Sequence, residues 1–186
     1  VAAWDPRRRE PGSGHHPHDQ SGRRRHERTP IGSGRCHLGA TLEVMGLHHV
    51  AYAAKDIDAT HVFYTEAMGF RLVKVVVGAT EAGWSKHVFY DTGGQGLIAF
   101  WDLHDTKIGT DFRTDISTAL GLPVHINHIA FRADGLEDLA VRRQRWQEHG
   151  ITVAEIDHGF CQSIYATDPN GILVEFCTDT AGLTDE

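Results

Sequence analysis

A chain of 186 residues, 40% of them hydrophobic and 23% charged, has room for one ordinary domain or two small modules packed together. A formal net charge of -7 argues against a nucleic-acid binder, and no apolar run approaches the ~20 residues that cross a bilayer. Cys36, Cys161 and Cys177 cannot all pair, and no apolar stretch follows Arg7-Arg8-Arg9, so a reducing, cytoplasmic setting without a secretory signal is expected.

Composition divides the chain. Residues 1–44 carry eight Arg, no Lys, five acidic residues, four of the six prolines and almost no large apolar side chains. Such a segment cannot bury enough surface to offset the entropy of ordering, so a disordered tail is expected. Arg23-Arg24-Arg25 and His15-His16-Pro17-His18 then read as solvated runs rather than phosphate or metal patches. Residues 45–186, with ten Lys and Arg against twenty Asp and Glu, form the expected single domain, and Met45 suits its start.

In chain order, residues 47–53 read as a short strand covered on both faces. Asp56 is a suitable N-cap for a helix to about Met68, with Gly69 in the left-handed position past its end. Strands are expected at 71–77, 86–90 and 96–102, then an irregular linker over 103–125 containing Gly109, Gly121 and Pro123. The same order returns: a strand at 126–132, a helix between Asp134 and Gly150, and strands at 154–158, 163–167 and 172–178. Asp168-Pro169-Asn170-Gly171 has the chemistry of a turn between the last two.

The two passages are copies of one unit. Leu47-His48-His49-Val50-Ala51-Tyr52 recurs as Ile126-Asn127-His128-Ile129-Ala130-Phe131, 79 residues on. Ala67-Met68-Gly69-Phe70 recurs in character as Glu148-His149-Gly150-Ile151 after 81 residues, and Leu97-Ile98-Ala99-Phe100 as Leu173-Val174-Glu175-Phe176 after 76. The expected fold class is α+β, with two βαβββ modules over 46–102 and 125–178.

Side chains alternate faces along a strand, so His49 and His128, equivalent by the repeat, point the same way from their sheets. Glu175 shares a face with Leu173 and Cys177, while Val174 and Phe176 pack toward the helix. A carboxylate in mid-strand between apolar neighbours needs a cation or a donor. Two imidazoles and one carboxylate make a three-ligand face with open positions, suited to Fe(II) and compatible with Mn or Zn; the alternative is three polar core groups satisfied by Arg, Lys or backbone. His48, like Asn127, is expected to face outward.

The doubled unit with His49, His128 and Glu175 resembles the vicinal oxygen chelate superfamily, which includes glyoxalases, bleomycin-resistance proteins, fosfomycin-resistance enzymes and type I extradiol dioxygenases. The resemblance covers residues 46–178. It implies two paired modules curled into an open mixed β-barrel around a metal, often completed within a homodimer. Ala99 stands where the second copy has Glu175, whereas glyoxalase I normally takes a carboxylate from both modules; the resemblance therefore disfavours lactoylglutathione lyase chemistry.

Ile156-Asp157-His158, Ile164-Tyr165, Asp168-Pro169-Asn170-Gly171 and Glu175, in that order, resemble the extradiol ring-cleavage signature. The implied activity is O2-dependent cleavage of a catechol-like aromatic diol at Fe(II), with Mn, Zn or Ni as the other ions the set accepts. A histidine titrates near ~6.5, which suits His158 to proton shuttling, and Tyr165 would hydrogen-bond a substrate oxygen. Two features depart from the pattern. The chain has two modules where most such enzymes have four, and the further active-site histidine has no counterpart, since His125 is too near His128 and Arg113 stands in its region. Trp84, Trp101, Phe112 and His104 read as core rather than as an aromatic pocket, and Cys161 as a bystander. Two rivals remain: another metal-dependent reaction of the superfamily (glyoxalase-like lyase, isomerase, epimerase or thiol transferase), and a non-catalytic, bleomycin-resistance-like binding protein.

Overall fold

In the computed structural model, which describes residues 46–181, each copy of the repeat forms its own four-stranded mixed sheet with its own helix. The tail expected over 1–44 lies outside the described residues. The first copy comprises β1 (His49–Ala54), α1 (Ile57–Val62), β2 (Arg71–Ala79), β3 (Gly83–Asp91) and β4 (Leu97–Asp105). The second comprises β5 (His128–Arg132), α2 (Gly135–Glu148), β6 (Ala154–Asp157), β7 (Cys161–Thr167) and β8 (Leu173–Asp179). Strand orders are β1-β4-β3-β2 and β5-β8-β7-β6. In each sheet the first strand runs parallel to the last and the other pairs are antiparallel, which is the α+β, βαβββ architecture read from the repeat.

The β3–β4 ladder is longer than expected, because Gly83 pairs with Asp105 and the hairpin stays in register over its whole length. Only a short 3-10 turn, Thr118–Leu120, interrupts the linker that follows. Asp56 caps α1 as its sequence suggests, its Oδ1 accepting from the amides of Asp58 (3.0 Å) and Ala59 (2.9 Å). The regular helix expected to about Met68 instead widens into a π-helical turn at Phe63–Ala67, with the Met68 amide bonded to the Phe63 carbonyl at 2.9 Å. That wider turn brings Phe63, Tyr64, Ala67 and Met68 into the core together. At α2 the Asp134 side chain makes no capping bond; the Asp138 carboxylate reaches back to the Asp134 amide at 2.9 Å.

Both copies contribute to one apolar core, in which Tyr64, Phe70 and Phe100 meet Trp146, Val174 and Phe176. Phe70 approaches Phe131 edge-on at 4.9 Å and Phe176 at 6.2 Å. Rings buried in this way stabilise by about 1.5–3 kcal/mol each. A polar bolt accompanies them at the Asp168-Pro169-Asn170-Gly171 turn. Asp168 Oδ1 accepts from the amides of Asn170 and Ile172, both at 2.8 Å, and Oδ2 accepts from the Tyr64 hydroxyl at 3.0 Å. Asn170 bonds Thr60 of α1 and the Lys55 amide, each at 3.1 Å, so the turn before β8 is tied to the first copy. Gly171 sits at φ +79° with Asp115 where a Cβ would project. No helix among the described residues is long and apolar enough to cross a membrane.

Candidate functional site

The core packing fixes which sheet face is left for chemistry. Val174 and Phe176 are buried in the core, so Glu175 points from β8 to the opposite face. Register then gathers its neighbours: Glu175 lies opposite Ala130 of β5 and Tyr165 of β7, with His128 and Ser163 each two residues away along their strands.

Three of these side chains, His128, Ser163 and Tyr165, meet Glu175 or one another. Glu175 Oε2 stands 3.0 Å from His128 Nε2, and Oε1 accepts from the Ser163 hydroxyl at 2.5 Å. His128 Nδ1 faces the His125 carbonyl at 2.9 Å. A carbonyl only accepts, so Nδ1 carries the hydrogen, and Nε2 is the nitrogen left to face the carboxylate. Side by side at this distance, His128 Nε2 and Glu175 Oε2 are a nitrogen and an oxygen donor of the kind a divalent metal ion takes. Nearby, His158 Nε2 and the Tyr165 hydroxyl are 2.9 Å apart, and the Tyr165 ring lies 6.3 Å from that of His128. Burial, with the Glu175 charge as a lesser cause, raises the Tyr165 pKa above the usual phenol value, so its hydroxyl stays a donor at neutral pH. Tyr165 also lines a cleft of about 420 Å³ with Ala154 and Leu173.

His49 is not part of this group. It projects from the other sheet, where its Nδ1 is 2.8 Å from Nδ1 of His48 and its ring lies 5.6 Å from Phe89 and 6.4 Å from His87. His48 is exposed, and its ring meets that of His49 edge-on at 5.0 Å. Among the described residues, no three His, Cys, Asp or Glu side chains are close enough together to hold a metal ion. A pair, His128 and Glu175, is assembled on one sheet, and the third expected ligand stands on the other.

The two sheets are related position by position. Ala99 pairs with Ala51 and Phe89 as Glu175 pairs with Ala130 and Tyr165; His87 lies opposite Trp101 as Ser163 lies opposite Cys177. The first sheet therefore carries His87 and Trp101 where the second carries Ser163 and Cys177, and Ala99 where the second carries Glu175. His87 stacks on Trp101 at 3.7 Å and contacts Phe89 at 4.1 Å. Burial, aided by His49, lowers the His87 pKa to about 4, and its Nε2 is buried without a hydrogen-bond partner. The expectation that Trp84, Trp101, Phe112 and His104 are core is corrected. Trp84 and Trp101 are exposed, Trp84 stacks on His104 at 3.9 Å, and Phe112 lies under the Lys55 ammonium at 4.1 Å. His104 is further tied to Asp102 at 2.7 Å, which Lys86 also bridges at 3.1 Å.

Ser163 and His87 have no role in the sequence reading. Ser163 was within reach of strand alternation, being two residues before Tyr165 on the same face. His87 had only the register of the repeat to mark it.

A family model described as Glyoxalase/Bleomycin resistance protein/Dioxygenase superfamily matches residues 46–176. A 3-methylcatechol 2,3-dioxygenase of Pseudomonas putida is 25% identical over 138 residues, and the match spans 70% of this chain but 41% of that relative's length. A glyoxylase/bleomycin resistance protein/dioxygenase domain from Frankia sp. EAN1pec overlays with a TM-score of 0.56 at 20% identity, covering 74% of this chain and 99% of that one. The fosfomycin resistance protein FosX of Listeria monocytogenes overlays with a TM-score of 0.52 at 21% identity, over 74% and 95% of the two chains. The two structural likenesses show the fold.

Proposed function

Because the chain belongs to the glyoxalase/bleomycin resistance protein/dioxygenase superfamily, we propose that it is a metal-dependent extradiol-type dioxygenase, opening the ring of a catechol-like small molecule with O2. The observation that carries this reading is the convergence on one sheet face of the His128–Glu175 pair and the His158–Tyr165 pair. The catechol dioxygenase relative supports the same chemistry. Fe(II) is the ion proposed, with Mn, Zn or Ni as alternatives the donor set accepts. When bound, it supplies Lewis acidity, redox chemistry and a template for both reactants.

His128 Nε2 and Glu175 Oε2 would hold the ion. The third ligand would be His49 of the partner subunit, in a homodimer that sets the first sheet of one chain against the second sheet of the other. Two features support this. His49 occupies on β1 the position that His128 occupies on β5, and β2 is exposed along its whole length, including Val75, Val76 and Val77, an edge and face suited to another copy of the chain. Free Cys161 and Cys177 suit a reducing cytoplasm.

Each remaining side chain then has a task. The Tyr165 phenol, kept protonated, donates a hydrogen bond to a substrate oxygen and fixes the ring's orientation. His158 Nε2, now against the Tyr165 hydroxyl, takes the proton a catechol must lose and returns it to the opened product.

The test is anaerobic loading with Fe(II), metal analysis, and oxygen uptake with a panel of catechols. One iron per chain without uptake on any catechol rejects the reaction and spares the metal site. Turnover without oxygen, with Mn, Ni or Zn preferred, selects another reaction of the superfamily.

A further inference from the structure

We infer that Ser163 is a positioning residue, which fixes the Glu175 carboxylate so that a single oxygen, Oε2, is turned to the metal. The inference rests on the metal-site reading above and deepens it.

The terminal torsion of a glutamate is broad and nearly two-fold, so an unanchored carboxylate offers either oxygen, or both. Here Oε1 is claimed at 2.5 Å by the Ser163 hydroxyl, the length of a strong hydrogen bond to an ionised acceptor. Both residues are buried, Ser163 at 0% and Glu175 at 5% exposure, so water does not compete for that oxygen. The serine has one hydrogen to give. With it directed at Oε1, the Ser163 oxygen can only accept, and Cys161 Sγ at 3.9 Å stands where a weak donor would. The polarity of the chain runs from Cys161 through Ser163 to Glu175, and ends with Oε2 beside His128 Nε2.

The other sheet makes the same point independently. At the matching positions Glu175 is replaced by Ala99 and Ser163 by His87. Carboxylate and hydroxyl are present together on one sheet and absent together from the other, as expected if the serine serves the carboxylate and not the strand.

The experiment uses the full chain in three forms, wild type, Ser163→Ala and Ser163→Thr, titrated anaerobically with Co(II) and followed by its absorption bands, with circular dichroism to confirm folding. The expected result is a 10–100-fold weaker Co(II) affinity and shifted bands for Ser163→Ala, with recovery in Ser163→Thr, which keeps the hydroxyl. If folded Ser163→Ala binds Co(II) as wild type does, with the same bands, the inference is overturned and the metal site stands. If wild type itself binds no Co(II), the metal-site reading falls and the inference with it.

Discussion

The Tyr64 hydroxyl donates to Asp168 Oδ2 at 3.0 Å, joining the helical segment of the first copy to the turn that launches β8 of the second. Both residues are buried, and burial pushes the Tyr64 pKa well above the usual phenol value and raises that of Asp168. The bond bears on function because β8 carries Glu175 a few residues further on. Tyr64→Phe removes one donor from a buried carboxylate while leaving the ring packed. The expected cost is about 1–3 kcal/mol of folding stability, measured by urea unfolding. An unchanged urea midpoint would show that the bolt contributes nothing.

Splitting the ligands between two sheets leads to a complementation test. His49→Ala and Glu175→Ala should each abolish tight metal binding when purified separately. A heterodimer formed by unfolding and refolding them together holds one intact set and one doubly impaired set. Metal binding should therefore reappear, approaching one site per two heterodimer chains. Recovery fails if His49 serves its own chain, because every set would then lack one ligand.

Much of the fold was legible in the sequence. Strand alternation and the shift between the copies put His49 and His128 at equivalent places, and the Asp56 cap and the Asp168-Pro169-Asn170-Gly171 turn were legible from local chemistry alone. The π-helical turn at Phe63 was not, since it answers to where Tyr64 must reach, a contact 104 residues away in the chain. Nor could the repeat tell how the two sheets are set against each other. Equivalent positions fix which face a ligand points from, but not whether two such faces meet within one chain. The exposed tryptophans show a related limit: a large ring in a strand implies packing, yet Trp84 and Trp101 pack on imidazoles, His104 and His87, at the sheet surface.

His87 gives the fold a pH dependence of definite sign. Its pKa of about 4 lies below the usual 6.5, so the unfolded chain binds the extra proton more readily than the folded one. The stability contributed by the neutral ring is complete above pH 6.5 and is lost progressively as pH falls toward 4. His87→Phe keeps a ring against Trp101 and removes the titration. The thermal midpoint of wild type should drop more steeply between pH 7 and pH 5 than that of His87→Phe. Parallel curves would mean that the ring is already reachable by water and protons in the folded state.

The His158–Tyr165 pair separates the ring-cleavage reading from a purely binding role. Tyr165→Phe leaves the ring against His128 but takes away the only donor the residue offers, so substrate should still enter while its reacting oxygen loses a hydrogen bond. On the scale of a removed donor at a developing charge, kcat should fall about 10²–10³-fold. His158→Gln, which keeps hydrogen bonding but cannot accept and return a proton, should cost about 10²–10⁴-fold. If the two act as one relay through their 2.9 Å contact, the double variant should be little worse than the weaker single one. Metal content should stay at the wild-type level throughout, because neither residue is proposed as a ligand. Turnover unaffected by both changes would remove the pair from the chemistry.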